Sequence, residues 1–326
     1  MNIDMIHAAA QRNAGIVRET PMLWSPFLDE IAGRRVLVKA ECLQHTGSFK
    51  YRGARSAVSA LVADGGADGV IAFSSGNHAQ GVARAASEHG LPSVIVMPSD
   101  APQLKISNTR ALGAEIVLYD RASEDRDVIG ARLAEERGLH LIKPFDEPQV
   151  IAGQGTTGLE IARQAEGFGV DNADVLVCCG GGGLTSGIAL ALESAAPGLR
   201  ARPVEPVDFD DVARSLQSGR IEHNARTSGS LCDAIITSAP GEITFPILHR
   251  LCGPGIVVPE DDCLRAMVAA FTHLKIVAEP GGAIALAAAL YHSDTVPGDT
   301  IIAVVSGGNV DPGVFRVALD RFGDGT

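Results

Sequence analysis

Short apolar runs alternate with longer amphipathic segments along most of this chain. In the first half, the apolar runs predict strands over residues 70–73, 93–97, 115–119 and 139–142. The segments between them predict helices over residues 78–89, 102–112 and 122–137. A glycine directly follows each of these helices, and glycine commonly ends helices. Strands and helices that alternate at such short spacing are typical of a parallel sheet covered by helices.

The second half continues the alternation around a long irregular stretch. Its pattern predicts helices over residues 149–166, 184–194, 261–277 and 282–291. Strands are predicted over residues 174–179 and 300–305. Residues 197–255 are predicted to be irregular, apart from a short helix over 210–217. A helix within residues 1–20 and a strand over 35–40 precede both halves.

These elements predict an α/β fold with two lobes, each built on an open parallel sheet. We expect a small domain of residues 51–144 and a large domain of residues 1–50 and 145–326. Open α/β sheets bind ligands at the carboxyl ends of their strands, and pockets often lie between domains. The active site is therefore expected in the cleft between the lobes.

Composition excludes several classes of protein. The 326 residues carry a formal net charge of −12, which argues against a nucleic-acid partner. The longest apolar run, residues 282–291, is about half of what a membrane span needs, so no membrane association is expected. The first residues lack the features of a signal peptide, which predicts a cytoplasmic protein. The six cysteines show no C-x-x-C spacing and are interpreted as reduced, buried thiols.

The most informative stretch is residues 44–53, QHTGSFKYRG. It predicts a turn, an N-cap at Ser48 and a helix whose first turn contains Lys50. A cation near the positive end of a helix dipole is disfavoured by about 0.3–1 kcal/mol, which favours a lysine that works as a free amine. A solvated surface lysine is the ordinary alternative.

Three further turns each follow a predicted strand. Residues 74–78, SSGNH, begin a helix and present backbone N–H groups that suit a carboxylate. The run Gly180–Gly183 precedes Leu184 and suits a phosphate, since no register of it fits the dinucleotide pattern G-x-G-x-x-G. Residues 306–309, SGGN, follow the strand over 300–305. Each turn alone is common in α/β proteins.

Together with residues 151–156, IAGQGT, these motifs stand in an order that resembles the fold-type II pyridoxal-phosphate enzymes, which share the tryptophan synthase β-like fold. The resemblance is to the threonine/serine dehydratase and serine racemase group. It implies that Lys50 holds pyridoxal 5'-phosphate covalently and acts as a base. The residues implied to contact the cofactor are Phe49, Lys50, Asn77, Gly180, Gly181, Gly182, Gly183, Leu184, Glu279 and Ser306.

The resemblance also implies how substrate is held. The residues implied to bind the substrate carboxylate are Ser75, Gly76, Asn77 and His78. Ser75 would also stand where the racemase has a second proton donor. Ser306 would bond the pyridine nitrogen, and a neutral hydroxyl there would favour elimination over transamination. Glu279 would lie near the cofactor ring, although the cap of a buried helix would explain it equally well.

A divalent-cation site is a further expectation. Acids near a helix start are ordinarily solvated side chains or N-caps. Glu205, the Phe209 carbonyl and Asp211, however, match the spacing of the cation site in the racemase and some dehydratases. Oxygen ligands of this kind suit Mg²⁺, Mn²⁺ or Ca²⁺.

The resemblance implies a dehydratase that eliminates the hydroxyl of a β-hydroxy amino acid such as L-threonine or L-serine. Hydroxyaspartate dehydratase, serine racemase and a non-catalytic amino-acid sensor are the alternatives, and Phe145, where the racemase has asparagine, favours the dehydratases. The segment 233–245, with Ser238, is expected to border the side-chain pocket. A second substrate carboxylate would need a cation such as His45 or Arg52. A homodimer is also expected.

Overall fold

The computed structural model describes residues 1–66, 68–74, 76–101, 103–120, 122–226 and 228–323. The strands are β1 (Met22–Trp24), β2 (Arg35–Ala40), β3 (Gly69–Phe73), β4 (Ser93–Pro98), β5 (Glu115–Tyr119), β6 (Leu139–Leu141), β7 (Ala173–Cys178), β8 (Leu199–Pro206), β9 (Ile256–Val258) and β10 (Thr300–Val305). The helices are α1 (Ile3–Asn13), α2 (Pro26–Ala32), α3 (Lys50–Ala63), α4 (Asn77–Glu88), α5 (Gln103–Ala111), α6 (Arg126–Arg137), α7 (Pro148–Gly167), α8 (Gly183–Ala195), α9 (Asp211–Ser218), α10 (Thr244–Leu251), α11 (Glu260–Ala269), α12 (Pro280–Tyr291) and α13 (Pro312–Phe322).

The strands of the described chain form two sheets. One has six strands in the order β1-β2-β10-β7-β8-β9, and the other has four in the order β5-β4-β3-β6. The four-stranded sheet is parallel, and in the six-stranded sheet only the β1–β2 pair is antiparallel. The central strand β10 is buried along Ile301–Val305, as expected for a parallel strand covered on both faces. The predicted fold of two α/β lobes with parallel sheets is confirmed.

Each lobe has its own apolar core. One buried cluster lies around the six-stranded sheet and includes α12, whose described side chains from Pro280 to Leu290 are all buried. A smaller cluster packs α3 and α4 against the four-stranded sheet. The four-stranded sheet uses residues 69–141, within the predicted small domain. We propose residues 50/51 and 144/145 as the domain boundaries, as the sequence predicts.

Several sequence predictions match, and others were wrong. Strands β2, β5 and β10 have the predicted bounds, whereas residues 197–255 contain β8 and α10 in addition to the short helix α9. Strand β8 was missed because it carries charged residues that are nevertheless buried. Arg202, for example, donates to Asp174 on the adjacent strand at 3.3 Å.

Helix bounds were also wrong in places. The predicted helix over 261–277 ends as α11 at Ala269, and a π-helical turn follows over Ala270–Leu274. Lys275 then has φ 60°, a left-handed conformation that stops the helix. Helix α6 begins at Arg126 and not at residue 122, and α13 was not predicted.

A buried ion network lies beneath the start of α3. The Arg52 guanidinium donates to both oxygens of Glu41 at 2.7 Å and to the oxygens of Glu160 at 2.7 and 2.8 Å. Lys39 Nζ bonds Glu160 at 2.6 Å and the Thr20 carbonyl at 2.6 Å. Two cations and two anions thus neutralise one another. Arg52, which the sequence suggested as a cation for substrate, is buried and occupied by this network.

No helix in the described part of the chain is long and apolar enough to cross a membrane. The cytoplasmic location stays a prediction.

Candidate active site

Lys50 is the first residue of α3, and its side chain is half-buried. The ammonium donates to the Pro144 carbonyl at 2.8 Å and lies 5.2 Å from the centre of the Phe49 ring. Burial lowers the pKa of Lys50 to about 8, so about a tenth of the amine is unprotonated at pH 7 and about half at pH 8. The predicted N-cap at Ser48 was wrong, because Phe49 occupies the N-cap position without a side-chain cap.

Backbone hydrogen bonds hold the lysine segment against the turn after β10. Phe49 N donates to Ser306 O at 3.0 Å, Gly308 N donates to Gly47 O at 2.9 Å, and Ser48 forms a bridge with Gly307. Gly47 has φ 73°, and a Cβ there would lie 2.6 Å from Asn309 Oδ1. The contact is therefore close enough to require glycine. It fixes Lys50 and Ser306 relative to one another.

Ser306 is buried and has a defined hydrogen-bond role. The Cys178 thiol donates to Ser306 Oγ at 3.1 Å, and burial raises the pKa of Cys178 to about 11, which keeps it a thiol. Because the thiol already donates to this oxygen, the Ser306 hydroxyl hydrogen is free to donate to another acceptor. The site therefore offers a neutral donor beside the β10 turn.

The turn at residues 74–78 leads into α4. Gly76 N donates to Ser74 Oγ at 3.1 Å, and Gly76 is the N-cap of the helix. His78 Nε2 lies 2.8 Å from the Ile142 carbonyl, so this nitrogen carries the proton. Burial and the nearby Lys50 charge lower the pKa of His78 to about 3, so its ring is neutral. Ser75, the predicted second proton donor, lies outside the described residues.

Asn77 joins the two lobes. Its Nδ2 donates to Glu279 Oε1 at 2.6 Å, and its Oδ1 accepts from Asn309 Nδ2 at 2.7 Å. Glu279 is the N-cap residue of α12, and burial raises its pKa to about 7. A Cβ at Gly307 would overlap the Glu279 carboxyl, so this turn needs glycine. Asn77 and Glu279, predicted separately, lie together.

The glycine run forms a cradle at the start of α8. Gly182 has φ 91°, and a Cβ there would lie 2.7 Å from Leu248 Cδ1. A Cβ on Gly180 would lie 2.8 Å from the Ile235 carbonyl oxygen, and one on Gly181 would overlap the Phe145 ring. The first turn of α8, with Leu184, leaves N–H groups without intrahelical partners. These groups and the helix dipole suit a phosphate.

Gln154 supports this fit. It is fully buried on α7, and neither its Oε1 nor its Nε2 has a hydrogen-bond partner among the described residues. Its Oε1 lies 2.7 Å from where a Cβ of Gly183 would be, so the side chain points at the cradle. A buried amide without partners is costly, and a bound polar group here would satisfy it.

The segment 233–245 packs against the same glycine cradle. Gly241 N donates to Gly181 O at 3.2 Å, and Thr244 Oγ1 donates to the same oxygen at 2.6 Å. Ser238 is exposed, and its carbonyl accepts from Asn224 N at 2.8 Å. The structure thus places the segment beside the site, whereas no described contact joins Ser238 to Lys50 or the 74–78 turn.

The predicted metal ligands lie beyond the glycine run, where β8 leads into α9. Glu205 is buried and accepts from Val212 N at 2.9 Å and Ala213 N at 2.7 Å. Burial and the neighbouring Asp211 raise the pKa of Glu205 well above its usual range. Burial raises the pKa of Asp211 to about 7, and its Oδ2 has no partner among the described residues.

These two acids fit a cation only in part. Phe209, whose carbonyl was the expected third ligand, is a buried residue of the connection between β8 and α9. No group of three or more His, Cys, Asp or Glu side chains suited to a metal occurs in the described residues. An unpaired buried carboxylate oxygen next to another acid would nevertheless be stabilised by a cation.

The structure brings together most of the residues that the sequence singled out. Lys50, Phe49, Asn77, Glu279 and Ser306 are linked by the contacts given above. Sequence reasoning missed the roles of Gln154, Asn309 and Cys178. The first two lay inside motifs already noticed, at 151–156 and 306–309, but a sequence does not show where an amide points. Cys178 ends an apolar strand and was interpreted only as a core thiol.

Comparisons with known proteins identify the family. The family model described as pyridoxal-phosphate dependent enzyme matches residues 14–307. The chain is 40% identical over 318 residues to L-threo-3-hydroxyaspartate ammonia-lyase of Saccharomyces cerevisiae, covering 97% of this chain and 96% of that protein. The chain belongs to the pyridoxal-phosphate-dependent enzyme family.

Solved structures show the same architecture. The threonine deaminase of T.th. superposes with a TM-score of 0.89 at 44% identity, covering 95% of this chain and 99% of that one. Maize serine racemase superposes with a TM-score of 0.89 at 35% identity, covering 99% and 98%. The two lobes have the fold-type II architecture that the sequence predicted.

Proposed function

We propose that this protein is a pyridoxal-phosphate-dependent ammonia-lyase that removes water from a β-hydroxy amino acid and yields a 2-oxo acid and ammonia. The observation that carries the proposal is Lys50, a half-buried lysine with a pKa of about 8 that lies against the Ser306 turn. The similarity to hydroxyaspartate ammonia-lyase and threonine deaminase supports this reaction class.

The residues of this chain supply binding, orientation and proton transfer. The Lys50 amine would bind the cofactor, and the glycine run with Gln154 would hold its phosphate. Ser306 would supply a neutral donor to the ring nitrogen, and Asn77 with Glu279 would contact the ring. When bound, the cofactor supplies the electron sink for the elimination.

Substrate is held at the start of α4. The amides of Asn77 and His78 take the carboxylate at the positive end of the helix dipole, beside Gly76, whose own N–H donates to Ser74 Oγ. Because the His78 ring is neutral and donates to Ile142 O, it orients this turn without adding charge. Lys50 removes the α-proton and returns a proton to the departing hydroxyl. Ser75 stays a predicted contributor.

The test is release of 2-oxo acid from a panel of β-hydroxy amino acids, namely L-serine, L-threonine and L-threo-3-hydroxyaspartate. Wild-type protein loaded with cofactor should turn over at least one of them. Lys50→Ala should lose both turnover and the visible absorbance of the lysine-bound cofactor, because the attaching amine is gone. Retained turnover in Lys50→Ala would refute the assignment.

Serine racemisation is the second candidate, supported by the similarity to maize serine racemase. The same reactions can be followed by chiral chromatography. Formation of D-serine faster than pyruvate would favour the racemase.

A divalent cation at Glu205 and Asp211 also belongs to the proposal. Its support is the raised pKa of both acids and the unpaired Oδ2 of Asp211. Mg²⁺ is the expected ion, with Mn²⁺ or Ca²⁺ as alternatives.

A homodimer is the proposed assembly. Exposed apolar side chains occur on β1, α2, α13 and the segment after α11: Trp24, Phe27, Phe271, Val277 and Val317 are between 42% and 58% exposed. Phe27 stacks on His273 at 5.2 Å, and Phe271 meets Phe315 at 5.5 Å, so ring contacts join α2 and α13 to the segment after α11 in this apolar strip. Apolar surface of this kind commonly marks a protein interface.

A further inference from the structure

We propose that Lys105 is the residue that selects an acidic β-hydroxy amino acid, by binding the second carboxylate of the substrate in competition with Asp233. This inference rests on the proposed function and deepens it. Lys105 lies on α5 of the four-stranded lobe, and Asp233 lies in the loop before α10 of the other lobe. Lys105 Nζ is 3.4 Å from Asp233 Oδ2. The pair therefore bridges the two lobes.

The pair lies beside the active site. Asp233 is flanked by Cys232, whose carbonyl lies 3.6 Å from a Cβ position on Gly281 at the start of α12. Two residues beyond Asp233, the Ile235 carbonyl packs on Gly180 of the phosphate cradle. The loop that carries Asp233 thus runs between the cradle and the first turn of α12, the turn that Glu279 precedes.

The charges of Lys105 and Asp233 act on Glu279 inside the site. Burial is the main cause that raises the pKa of Glu279, and Asp233 raises it further, whereas Lys105 lowers it. Glu279 in turn bonds Asn77, which belongs to the proposed carboxylate turn. A group bound between that turn and Lys50 therefore lies within the field of Lys105.

The existing ion pair is easy to exchange. Asp233 is 64% exposed in its side chain, Lys105 is 23% exposed, and their 3.4 Å separation is long for a charge-assisted hydrogen bond. Exposed pairs of this kind contribute about 0–1 kcal/mol. A substrate carboxylate that enters from the cleft can therefore replace Asp233 at little cost.

The two cations that the sequence suggested for a second carboxylate, Arg52 and His45, are occupied or poorly suited. Arg52 and Lys39 are buried in the ion network with Glu41 and Glu160. His45 bonds the Ile16 carbonyl at 3.1 Å, and burial together with Arg84 and Arg18 lowers its pKa, so it is neutral at physiological pH.

The experiment compares kcat/KM for L-threo-3-hydroxyaspartate and for L-serine in cofactor-loaded protein. Lys105→Met should lower the ratio of these two values tenfold or more, mainly through KM for hydroxyaspartate. Asp233→Asn should lower KM for hydroxyaspartate several-fold, because it frees Lys105 and removes a repelling charge. KM for L-serine should change less than twofold in both variants.

Arg110→Met is the matched control, because it removes one cation from an exposed position on the same helix. It should leave the ratio within twofold of wild type. An equal loss in Arg110→Met would show an effect of net charge and would overturn the proposal. An equal change in kcat/KM for both substrates in Lys105→Met would show that the Lys105–Asp233 pair only joins the two lobes. That result would also overturn the proposal. An unchanged or raised KM for hydroxyaspartate in Asp233→Asn would refute the competition.

Binding separates this inference from the proposed function. Calorimetric titration with succinate should show at least tenfold weaker binding to Lys105→Met, whereas butyrate, with one carboxylate, should bind both proteins alike. If wild type eliminates water from none of the three substrates, the proposed function fails, and the succinate titration still tests Lys105. Equal succinate affinity in wild type and Lys105→Met, with unchanged thermal unfolding, would overturn the inference.

Discussion

At the scale of single residues, Lys50 is prepared for chemistry mainly by burial. Desolvation disfavours its charged form, and the opposing effect of Cys178 on its pKa is smaller. The Pro144 carbonyl accepts one N–H and fixes where the nitrogen lies, 2.8 Å away. Burial therefore increases the unprotonated fraction of the amine, and the Pro144 carbonyl fixes its position.

We expect the rate at which cofactor attaches to cofactor-free protein to follow this pKa. The free-amine fraction, and hence the rate, should rise about tenfold per pH unit below pH 7.5 and level off above about pH 8.5. Stopped-flow absorbance between pH 6 and 10 measures it. Free Nα-acetyllysine, whose side-chain amine is unmodified, provides the control. Its rate should keep rising towards the pKa of that amine, about 10.4. A protein rate that climbs in parallel with the control would contradict the lowered pKa.

Residue types were easier to predict than the contacts between them. Lys50, Asn77 and Ser306 were found from their motifs, because strand ends and helix starts are visible in a sequence. The bond from Asn77 to Glu279 joins residues separated by 202 positions, and no local pattern encodes it. The same limit explains why Arg52 was considered for substrate, since its partner Glu160 lies 108 positions away.

At the scale of elements, α9 is held by acids at its start. Both Glu205 oxygens accept N–H groups from its first turn, and Asp211 is its first residue. Two adjacent buried carboxyl groups repel each other when both are ionised. A bound divalent cation would convert this repulsion into attraction and attach β8 firmly to α9.

Adding Mg²⁺ to chelator-treated protein should therefore raise its melting temperature by several degrees. At about a hundred times its Kd, the ion would add about 2.7 kcal/mol to the free energy of unfolding. Asp211→Asn should abolish the response, whereas Asp210→Asn, which removes a neighbouring acid paired with Arg214, should keep it. Identical melting curves of wild type with and without Mg²⁺, Mn²⁺ or Ca²⁺ would exclude the site.

Element bounds were predictable where apolar periodicity was clean, as in β2, β5 and β10. They were not predictable in β8, whose buried Arg202 and Glu205 owe their place to partners on other elements. The turn after α11 was also hidden, because the apolar pattern continues through the π-helical residues up to Lys275.

At the scale of the whole molecule, the two lobes meet through polar contacts of different strength. The Asn77–Glu279 bond is short and partly buried, whereas the Lys105–Asp233 pair is exposed and long. The exposed apolar strip that includes Phe27 lies on the lobe with the six-stranded sheet, since α2 packs near β2 and α12. Assembly through this strip would leave the cleft between the lobes open.

Phe27→Asp should therefore turn a dimer into a monomer, because a charge would be buried in an apolar interface. Sedimentation velocity at micromolar protein measures the change. Val128→Asp is the matched control, because Val128 is 66% exposed on α6 of the other lobe, and it should leave the mass unchanged. If Phe27→Asp and Val128→Asp sediment alike as dimers, the strip is not the interface.

The order of strands has a consequence for synthesis on the ribosome. The four-stranded sheet is complete once residue 141 has emerged, but the six-stranded sheet needs β10, which inserts between β2 and β7. At about 5–20 residues per second, some 160 further residues take about 8–32 s to make. Until β10 is made, β2 exposes an unpaired edge, and so does β7 once it has emerged, which favours aggregation and chaperone binding. Lys50 meets Ser306 only at the end, so the nascent chain gains its cofactor pocket last.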